Sequence, residues 1–426
     1  MSPTELARAV REASHGLALA DGARRSAALT RLAERLLLDR DAILSANEAD
    51  LADAATLAPA LRSRLALSAA KLEQLRQGLL ELAASPDPVG RVLSRTRLDE
   101  GLELEKVTHP LGVALVIFES RPDAVIQISG LAIRAGTGAI LKGGSEAARS
   151  NAALVACVQA ALVDVGLAQA VAGLEGRAAV AELLGCDSLI DLVIPRGSGA
   201  MVKAIAAATR IPVLGHAEGV CHLYLDAAAD PARALHLALD GKTDYPSACN
   251  ATEALLVHRD FLPRLPVIGA ALQARGVALR ADLEAQPWLA GAVPATDADR
   301  GHEYGDLTLA VFTVASLDEA LAFIRRYGSA HTDAICTEDP AAAARFLAEV
   351  DSASVFHNAS TRFADGYRYG LGAELGISTA RVHARGPVGV EGLLTTRWLL
   401  RGQGQGAGDY GPGRRAFLHE RLPTDS

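Results

Sequence analysis

Short apolar runs that alternate with helical segments extend over most of this 426-residue chain and constrain its fold more than any other feature. Several runs are short enough, and rich enough in Val, Ile and Leu, to be buried strands. They are residues 112–118, 138–141, 190–194, 211–214, 221–225, 254–257 and 308–314. Stretches with helical spacing, such as 145–166 and 199–209, lie between them. This alternation is typical of a parallel, doubly wound sheet, so we predict an α/β protein with a Rossmann-like first domain and a second α/β domain.

The N-terminal part of the chain follows a different pattern. Apolar residues recur at helical spacing from residue 3 to 84, and the sequence Ser-Pro-Asp-Pro at 85–88 ends that region. Residues 91–108 then have the pattern of a β-hairpin, with turn residues at 99–101. A hairpin without a following strand leaves an edge unpaired, and a second subunit is one way to cover it. We therefore predict a homo-oligomer.

The composition excludes several classes of protein. The net charge is −8 and no basic stripe is interleaved with aromatic residues, so nucleic acid is not an expected partner. The longest apolar run, at 111–118, is too short to cross a bilayer, and the charged N-terminus does not resemble a signal peptide. The five cysteines include no Cys-x-x-Cys pair, which favours reduced thiols over disulfides or a zinc site. We expect a cytoplasmic enzyme with no metal and no membrane contact.

Two strand-to-helix turns have the composition of phosphate-binding sites. The residues concerned are Lys142, Gly144 and Ser145 in the first turn, and Arg196, Gly197 and Ser198 in the second. Glycines let backbone N–H groups approach an anion, and a helix N-terminus adds partial positive charge. The small residues after the lysine leave room for a ribose 2′-phosphate. The alternatives are a solvated lysine at an ordinary turn and a plain serine N-cap.

Cys249 is the candidate nucleophile. It follows a loop-like Tyr-Pro-Ser-Ala sequence and directly precedes the apolar run at 254–257, whereas a structural cysteine usually lies inside a periodic element. His216 and His222 lie upstream in the sequence, so a hydrolase that uses Cys249 with one of these histidines as base remains open. Each histidine taken alone is more often structural, and no spacing of His and Cys suggests a metal site.

Polar residues also follow two other apolar runs. Glu119, Ser120, Arg121 and Asp123 come directly after the strand at 112–118. Residues 358–366 are similarly polar and follow another strand-like run. Polar side chains at strand ends often line a binding site, although a surface turn has the same composition.

Taken together, linked stretches of the chain resemble the γ-glutamyl phosphate reductase (glutamate-5-semialdehyde dehydrogenase) family, within the aldehyde dehydrogenase superfamily. The resemblance runs in order from about residue 5 to 404. The stretches are ESRPD, LKGGSEA, DLVIPRGS, GHAEGVCHLYLD, CNATEALLVH, RYGSAHTDAI and the segment from VDSASVFHNAS to GPVGVEGL. The resemblance implies an aldehyde dehydrogenase-like fold, with a cofactor domain, a catalytic domain and an oligomerising hairpin.

The same resemblance implies a mechanism. Cys249 attacks the acyl carbon of L-glutamyl 5-phosphate, phosphate leaves, and NADPH reduces the resulting thioester to L-glutamate 5-semialdehyde, a step of proline biosynthesis. The backbone N–H of Cys249 and the side chain of Ser120 are the candidate oxyanion donors. His216 stands where oxidative relatives carry a general-base glutamate, and a reductase has no need of a hydrolytic water.

Further roles and partners follow from the resemblance. Glu303 resembles the glutamate that contacts the nicotinamide ribose. The expected substrate-binding residues are Arg121, Asn250, Ser360 and Arg362. We expect NADP-binding and catalytic domains at 1–235 and 236–375, a return and oligomerisation segment at 376–404, and a flexible tail at 405–426. A dimer or tetramer and functional coupling to glutamate 5-kinase are the expected partnerships.

Overall fold

A computed structural model describes residues 1–57, 59–215 and 218–424. The helices are α1 (Pro3–Leu19), α2 (Gly22–Leu38), α3 (Arg40–Asp53), α4 (Pro59–Leu65), α5 (Ala69–Ala84), α6 (Asp123–Ala135), α7 (Ala148–Asp164), α8 (Arg177–Leu183), α9 (Gly199–Ala208), α10 (Pro231–Thr243), α11 (Leu265–Ala274), α12 (Leu317–Tyr327) and α13 (Pro340–Glu349). The strands are β1 (Val92–Asp99), β2 (Leu102–Pro110), β3 (Val113–Phe118), β4 (Gly138–Lys142), β5 (Val171–Gly173), β6 (Leu192–Arg196), β7 (Cys221–Leu225), β8 (Thr252–His258), β9 (Ala278–Ala281), β10 (Val293–Pro294), β11 (Thr308–Val314), β12 (Thr332–Cys336), β13 (Ser354–His357), β14 (Gly376–Ser378), β15 (Gly386–Val388), β16 (Leu394–Arg401) and β17 (Glu420–Leu422). No helix in these ranges is long and apolar enough to cross a membrane.

The N-terminal region is helical, as its spacing predicts. Ser2, Asp21 and Ser68 cap α1, α2 and α5 by accepting a hydrogen bond from a backbone N–H of the first turn. The apolar face of α2 packs against α5, α6 and α7, so these helices cover one face of the first parallel sheet. Helix α5 ends at Ala84, immediately before the predicted break at 85–88.

The first parallel sheet has the strand order β5-β4-β3-β6. Every residue of β3 is buried because helices cover both of its faces, which confirms the predicted doubly wound arrangement. The predicted strand at 211–214 is reduced to a single bridge between Val213 and Val193. The reason is local, since Pro212 has no N–H to donate to a neighbouring strand.

The second parallel sheet has the order β10-β9-β11-β8-β7-β12-β13 and underlies the segment that carries Cys249. Strands β7 and β11 lie on the predicted residues, and β8 includes the predicted run at 254–257. The predicted first domain at 1–235 includes β7, but this strand pairs with β8 on one side and β12 on the other. The boundary between the two sheets therefore precedes residue 221 and does not lie at 235.

A third, antiparallel sheet is built on the predicted hairpin and has the order β16-β2-β1-β17. Strand β16 pairs along β2 and β17 pairs with β1, so the chain covers both edges of its own hairpin. The segment from 405, predicted to be a flexible tail, contacts this sheet in the structure. Tyr410 stacks on Phe417 at 4.3 Å and donates a hydrogen bond to Asp99 at 2.9 Å, which holds the segment against the hairpin turn.

Candidate active site

Cys249 lies on a loop made of two consecutive turns between α10 and β8. The N–H of Ala248 donates to the carbonyl of Tyr245 (3.1 Å), and the N–H of Ala251 donates to the carbonyl of Ala248 (2.9 Å). Pro246 occupies the second position of the first turn, where its fixed φ is favourable. The Cys249 thiol is free and partly buried. The loop therefore presents this thiol at the amino end of β8.

Two contacts fix the backbone of Cys249. Gly219 packs so closely that an added Cβ would lie 2.1 Å from the Cys249 carbonyl oxygen. The thiol of Cys221 is 3.3 Å from the same oxygen. Gly219 in turn donates its N–H to a carboxylate oxygen of Glu303 at 2.8 Å. Glu303, the predicted cofactor contact, is thus joined through one glycine to the nucleophile loop.

Arginine side chains surround the start of this loop. Asp244 accepts hydrogen bonds from Arg362 Nε (3.1 Å) and Arg368 Nη2 (2.8 Å), and these bonds lower the pKa of its carboxyl group. Arg64 donates to the carbonyl of Ser247 at 3.3 Å. The guanidinium of Arg362 also lies 5.8 Å from the ring centroid of Tyr245. The surroundings are therefore rich in positive charge, which suits an anionic substrate.

Two predicted substrate-binding residues hold loops together in the structure. Asn250 is buried, and its amide nitrogen lies 2.9 Å from the carbonyl oxygen of Ala364 and 3.4 Å from that of Arg362. Ser360 is also buried, and its hydroxyl oxygen accepts from the N–H of Arg362 at 3.3 Å. The bonds of Asn250 attach the 360–364 segment to the residue that follows Cys249, and the bond of Ser360 lies within that segment.

A cavity of about 1050 Å³ opens at the carboxyl ends of β3, β4 and β5. Lys142, Gly144 and Ser145 of the first predicted phosphate turn line it, as does Ser120. A Cβ on Gly144 would lie 2.0 Å from a carboxylate oxygen of Glu146, so the backbone here can be approached only because no side chain is present. The volume, the apolar walls and the lysine fit a nicotinamide dinucleotide.

Ser120 lines this cavity, where it is hydrogen-bonded to Glu146. Its φ of 44° lies in the left-handed region, and both its N–H and its hydroxyl donate to the same oxygen of Glu146 at 2.7 Å. Burial raises the pKa of Glu146, but the two hydrogen bonds and the charge of Lys142 outweigh it and leave the pKa below its ordinary value. An ionised carboxylate therefore holds the hydroxyl that we predicted as an oxyanion donor.

The second predicted phosphate turn does not line this cavity. Ser198 caps α9 by accepting from the N–H of Met201 at 3.4 Å, as the plain-turn alternative anticipates. Gly197 lies against Glu119, whose carboxylate oxygen would be 2.7 Å from an added Cβ. Arg196 extends instead toward Glu374 in the other part of the molecule, with Nη1 at 3.3 Å from its carbonyl oxygen. Of the residues that follow this turn, Met201 and Ile205 of helix α9 line the cavity.

Of the two candidate histidine bases, His222 is the one that the structure describes. His222 is fully buried, with Nδ1 at 2.6 Å from Asp333 and its ring against Phe323. Its neighbour Cys221 is the residue that contacts the Cys249 backbone, and successive side chains of a strand point to opposite faces. His216 lies outside the described residues. Among the residues that the structure describes, no cluster of three or more His, Cys, Asp or Glu could hold a metal.

Comparisons with known proteins point to one family. The profile of the Aldehyde dehydrogenase family matches residues 3–280. A relative named Gamma-glutamyl phosphate reductase, from Synechococcus sp. (strain JA-3-3Ab), is 53% identical over 414 residues, which cover 94% of this chain and 90% of that protein. One of the same name from Synechococcus sp. (strain WH7803) is 52% identical, covering 99% and 98%. The crystal structure of Gamma-glutamyl phosphate reductase from Thermotoga maritima is similar with a TM-score of 0.92 and 36% identity, covering 95% of this chain and 99% of that one.

Proposed function

The chain belongs to the γ-glutamyl phosphate reductase family, and we propose that through Cys249 it reduces L-glutamyl 5-phosphate to L-glutamate 5-semialdehyde in proline biosynthesis, with NADPH as reductant and release of phosphate. The observation that carries this proposal is the position of Cys249, on a rigid double turn, partly buried and next to several arginines. An acyl phosphate is anionic, and such a site suits it.

The chain's own residues account for the acyl-transfer step. The Cys249 thiolate attacks the acyl carbon, the bond from that carbon to the phosphate oxygen breaks, and a thioester remains. Gly219 and Cys221 hold the loop so that the sulfur does not shift during attack. The developing oxyanion needs hydrogen-bond donors. The backbone N–H of Cys249 is the first candidate, because it has no hydrogen-bond acceptor within the described part of the chain.

The cofactor proposal concerns the 1050 Å³ cavity. Lys142, Gly144 and Ser145 would hold the adenosine end in this cavity. Glu303, which lies outside the cavity lining and accepts from Gly219 beside the Cys249 loop, would contact the nicotinamide ribose. The reduced nicotinamide supplies the hydride that converts the thioester to the aldehyde. We propose NADPH over NADH because the lysine offers a cation to a 2′-phosphate. Replacing Lys142 by Met should then raise the KM for NADPH roughly tenfold and leave that for NADH nearly unchanged.

The function is tested in the reverse direction, where purified protein should oxidise glutamate 5-semialdehyde with NADP⁺ only when phosphate is present. Cys249→Ala should abolish this activity. Cys336→Ala is the matched control, because that thiol is also free but is buried in β12. Mass spectrometry should find the acyl group on Cys249 when an acyl donor is added without a reduced cofactor. An adduct on another residue, or full activity of Cys249→Ala, would overturn the assignment.

The hydrolase alternative is not favoured. It requires a histidine beside the thiol, whereas His222 is buried against Asp333. It also gives no role to the large cavity at the strand ends. Thioester or amide cleavage by the protein without any nicotinamide cofactor would be the evidence for it.

The proposed partners rest on the hairpin sheet. We propose a homo-oligomer, a dimer or tetramer, in which that sheet contributes to the interface. The observation in favour is that Trp398 and Leu400 of β16 are exposed by 58% and 57%. Analytical ultracentrifugation of the wild type beside a Trp398→Ser, Leu400→Ser variant tests this directly. Coupling to glutamate 5-kinase is proposed because acyl phosphates are short-lived in water. A cytoplasmic location is proposed as well.

A further inference from the structure

A second cavity, of about 530 Å³, lies between α5, α6 and the 365–374 segment. It shares no lining residue with the cofactor cavity. Arg121 and Arg196 both line it. They emerge at the same sheet edge, because Phe118 at the end of β3 pairs with Arg196 at the end of β6. The sheet therefore delivers two guanidinium groups to one cavity.

The cavity is also lined by the carboxylates of Glu81, Asp123, Asp365 and Glu374, but the two guanidinium groups make few direct contacts with them. Arg121 is half-buried, and its guanidinium has no hydrogen-bond or ion-pair partner among the residues at 1–57, 59–215 and 218–424. Within the described part of the chain, the carboxylate that pairs with Arg196 is that of Glu374, at 3.8 Å, and Arg196 also donates to the carbonyl of Glu374 at 3.3 Å. Its side chain is only 13% exposed. Asp123 lines the same cavity, but Lys71 pairs with it at 3.4 Å and Gln127 donates to it at 3.2 Å.

The electrostatic balance at Arg196 points the same way. Burial lowers the pKa of this guanidinium, and the neighbouring charge of Arg121 lowers it further. Negative charge on Glu374 and on Asp123 acts in the opposite direction. An oxyanion between the two arginines would relieve their mutual repulsion and replace the water that burial removes.

We propose that Arg121 and Arg196 form an oxyanion subsite that binds the phosphoryl group of the acyl phosphate and stabilises it as it leaves the acyl carbon. This inference rests on the proposed function. It assigns Arg196 to the substrate in place of the predicted cofactor role. It also specifies the phosphoryl group as the part of the substrate that Arg121 binds. During acyl transfer the bond between the acyl carbon and the phosphate oxygen breaks, and the electron pair stays on the departing phosphate. Two guanidinium donors facing that oxygen stabilise the added charge.

The α-carboxylate of the glutamyl group has the same oxyanion chemistry, so the choice between the two groups needs an argument. The phosphoryl group is attached to the carbon that Cys249 attacks, whereas the α-carboxylate lies several bonds away. Asn250, the residue after Cys249, donates to the carbonyl of Ala364 at 2.9 Å, and the next residue, Asp365, lines the cavity. The cavity wall is therefore attached to the Cys249 loop, and the group bound to the carbon that Cys249 attacks is the one matched to the two guanidinium groups.

The reverse reaction separates the two sources, because phosphate and glutamate 5-semialdehyde are then independent substrates. Arg121→Met and Arg196→Met should each raise the KM for phosphate about 10- to 100-fold and change the KM for the semialdehyde by less than about threefold. Arg121→Lys and Arg196→Lys should fall between, because the charge remains but the planar fork is lost. Arg345→Met is the matched control, since this exposed arginine pairs with Asp318 and Glu349 on the surface.

A second measurement does not depend on turnover. Inorganic phosphate should slow the alkylation of Cys249 by iodoacetamide in the wild-type protein. In Arg121→Met, the phosphate concentration needed for this protection should rise by about the same factor as the KM for phosphate. A raised KM for the semialdehyde with an unchanged KM for phosphate would assign the pair to the α-carboxylate and overturn the proposal. Unchanged values for both substrates would overturn it as well. Wild-type turnover that does not require phosphate would overturn the proposed function and this subsite together.

Discussion

Lys242 and Glu253 form an ion pair, with Nζ 2.7 Å from Oε2, in which both side chains are almost completely excluded from solvent. Lys242 lies in the last turn of α10 and Glu253 near the start of β8, so the pair joins the two elements on either side of the Cys249 loop. Glu253 also accepts from the N–H groups of Tyr304 (3.3 Å) and Gly305 (3.4 Å), next to Glu303. One buried carboxylate thus connects the nucleophile loop to the segment of the predicted cofactor contact.

Removing one partner of this pair should be costly. Lys242→Met leaves a buried carboxylate without its counter-charge, and we expect the free energy of unfolding to fall by about 3–5 kcal/mol. Adding Glu253→Gln should recover at least about half of that loss, because the amide needs no counter-charge. Denaturant unfolding of the wild type, both single variants and the double variant measures this cycle.

The control for that cycle is Lys203→Met, which breaks an exposed pair with Glu218 at 2.6 Å. We expect almost no change in stability there, because solvent screens the pair. Equal effects of Lys242→Met and Lys203→Met would mean that the buried pair does not hold the loop.

The pH dependence of stability should carry the signature of Glu253. Burial raises the pKa of this carboxyl to about 7 from its ordinary 4.5, although Lys242 and the two N–H groups act in the opposite direction. As the pH rises, the unfolded chain loses this proton first, so the group's contribution to stability is present below pH 4.5 and is lost as the pH rises to about 7.

Glu253→Gln removes that linkage. Relative to the wild type, its free energy of unfolding should therefore rise by up to about 3 kcal/mol between about pH 4 and pH 8. Urea unfolding across this range measures the difference. A gap between the two proteins that stays constant with pH would contradict the raised pKa.

Gly219 should be intolerant of any side chain. An alanine Cβ would lie 2.8 Å from both Cα and C of Cys249, and these are backbone atoms that cannot rotate away. Gly219→Ala should therefore displace the nucleophile, lower kcat at least tenfold and cost about 1–3 kcal/mol of stability.

Gly16→Ala is the matched control for this substitution, because Gly16 lies in α1 with no atom within 4 Å of an added Cβ. It should leave kcat unchanged and add about 0.5–1 kcal/mol of stability. A Gly219→Ala enzyme with wild-type kcat would show that the contact does not position the thiol.

Local sequence signals predicted the elements of this fold well and their assembly less well. Strands β7 and β11 begin and end at the predicted residues, because turn-forming residues bound each apolar run. The sheet to which β7 belongs could not be identified from local signals, because one of its two partners, β12, lies about a hundred residues further along the chain, with His222 and Asp333 separated by 111 positions. The contacts of the segment from 405 with the hairpin could not be predicted from its glycines, which resemble a linker, although Tyr410 and Phe417 are residues of the kind that pack.

The candidate site was also predictable from the sequence only in part. The loop position of Cys249 was readable, since Pro246 and the small residues around it favour tight turns. The direction of Arg196 was not, because the face to which a strand-end side chain points depends on register. The Lys242–Glu253 pair did leave a signal, a glutamate directly before the apolar run at 254–257, but its partner could not be identified without the fold.

Substitution of Ser120 tests whether its hydroxyl serves cofactor binding or stabilises the oxyanion. Because its hydroxyl already donates to Glu146 at 2.7 Å, Ser120→Ala should raise the KM for the nicotinamide cofactor and lower kcat by less than about tenfold. Loss of a true oxyanion donor would lower kcat about 100- to 1000-fold. Glu146→Gln is the matched variant, since it keeps an acceptor at this position but removes the charge. If Ser120→Ala lowers kcat by the larger factor with an unchanged cofactor KM, the hydroxyl must leave Glu146 during catalysis and serve the oxyanion.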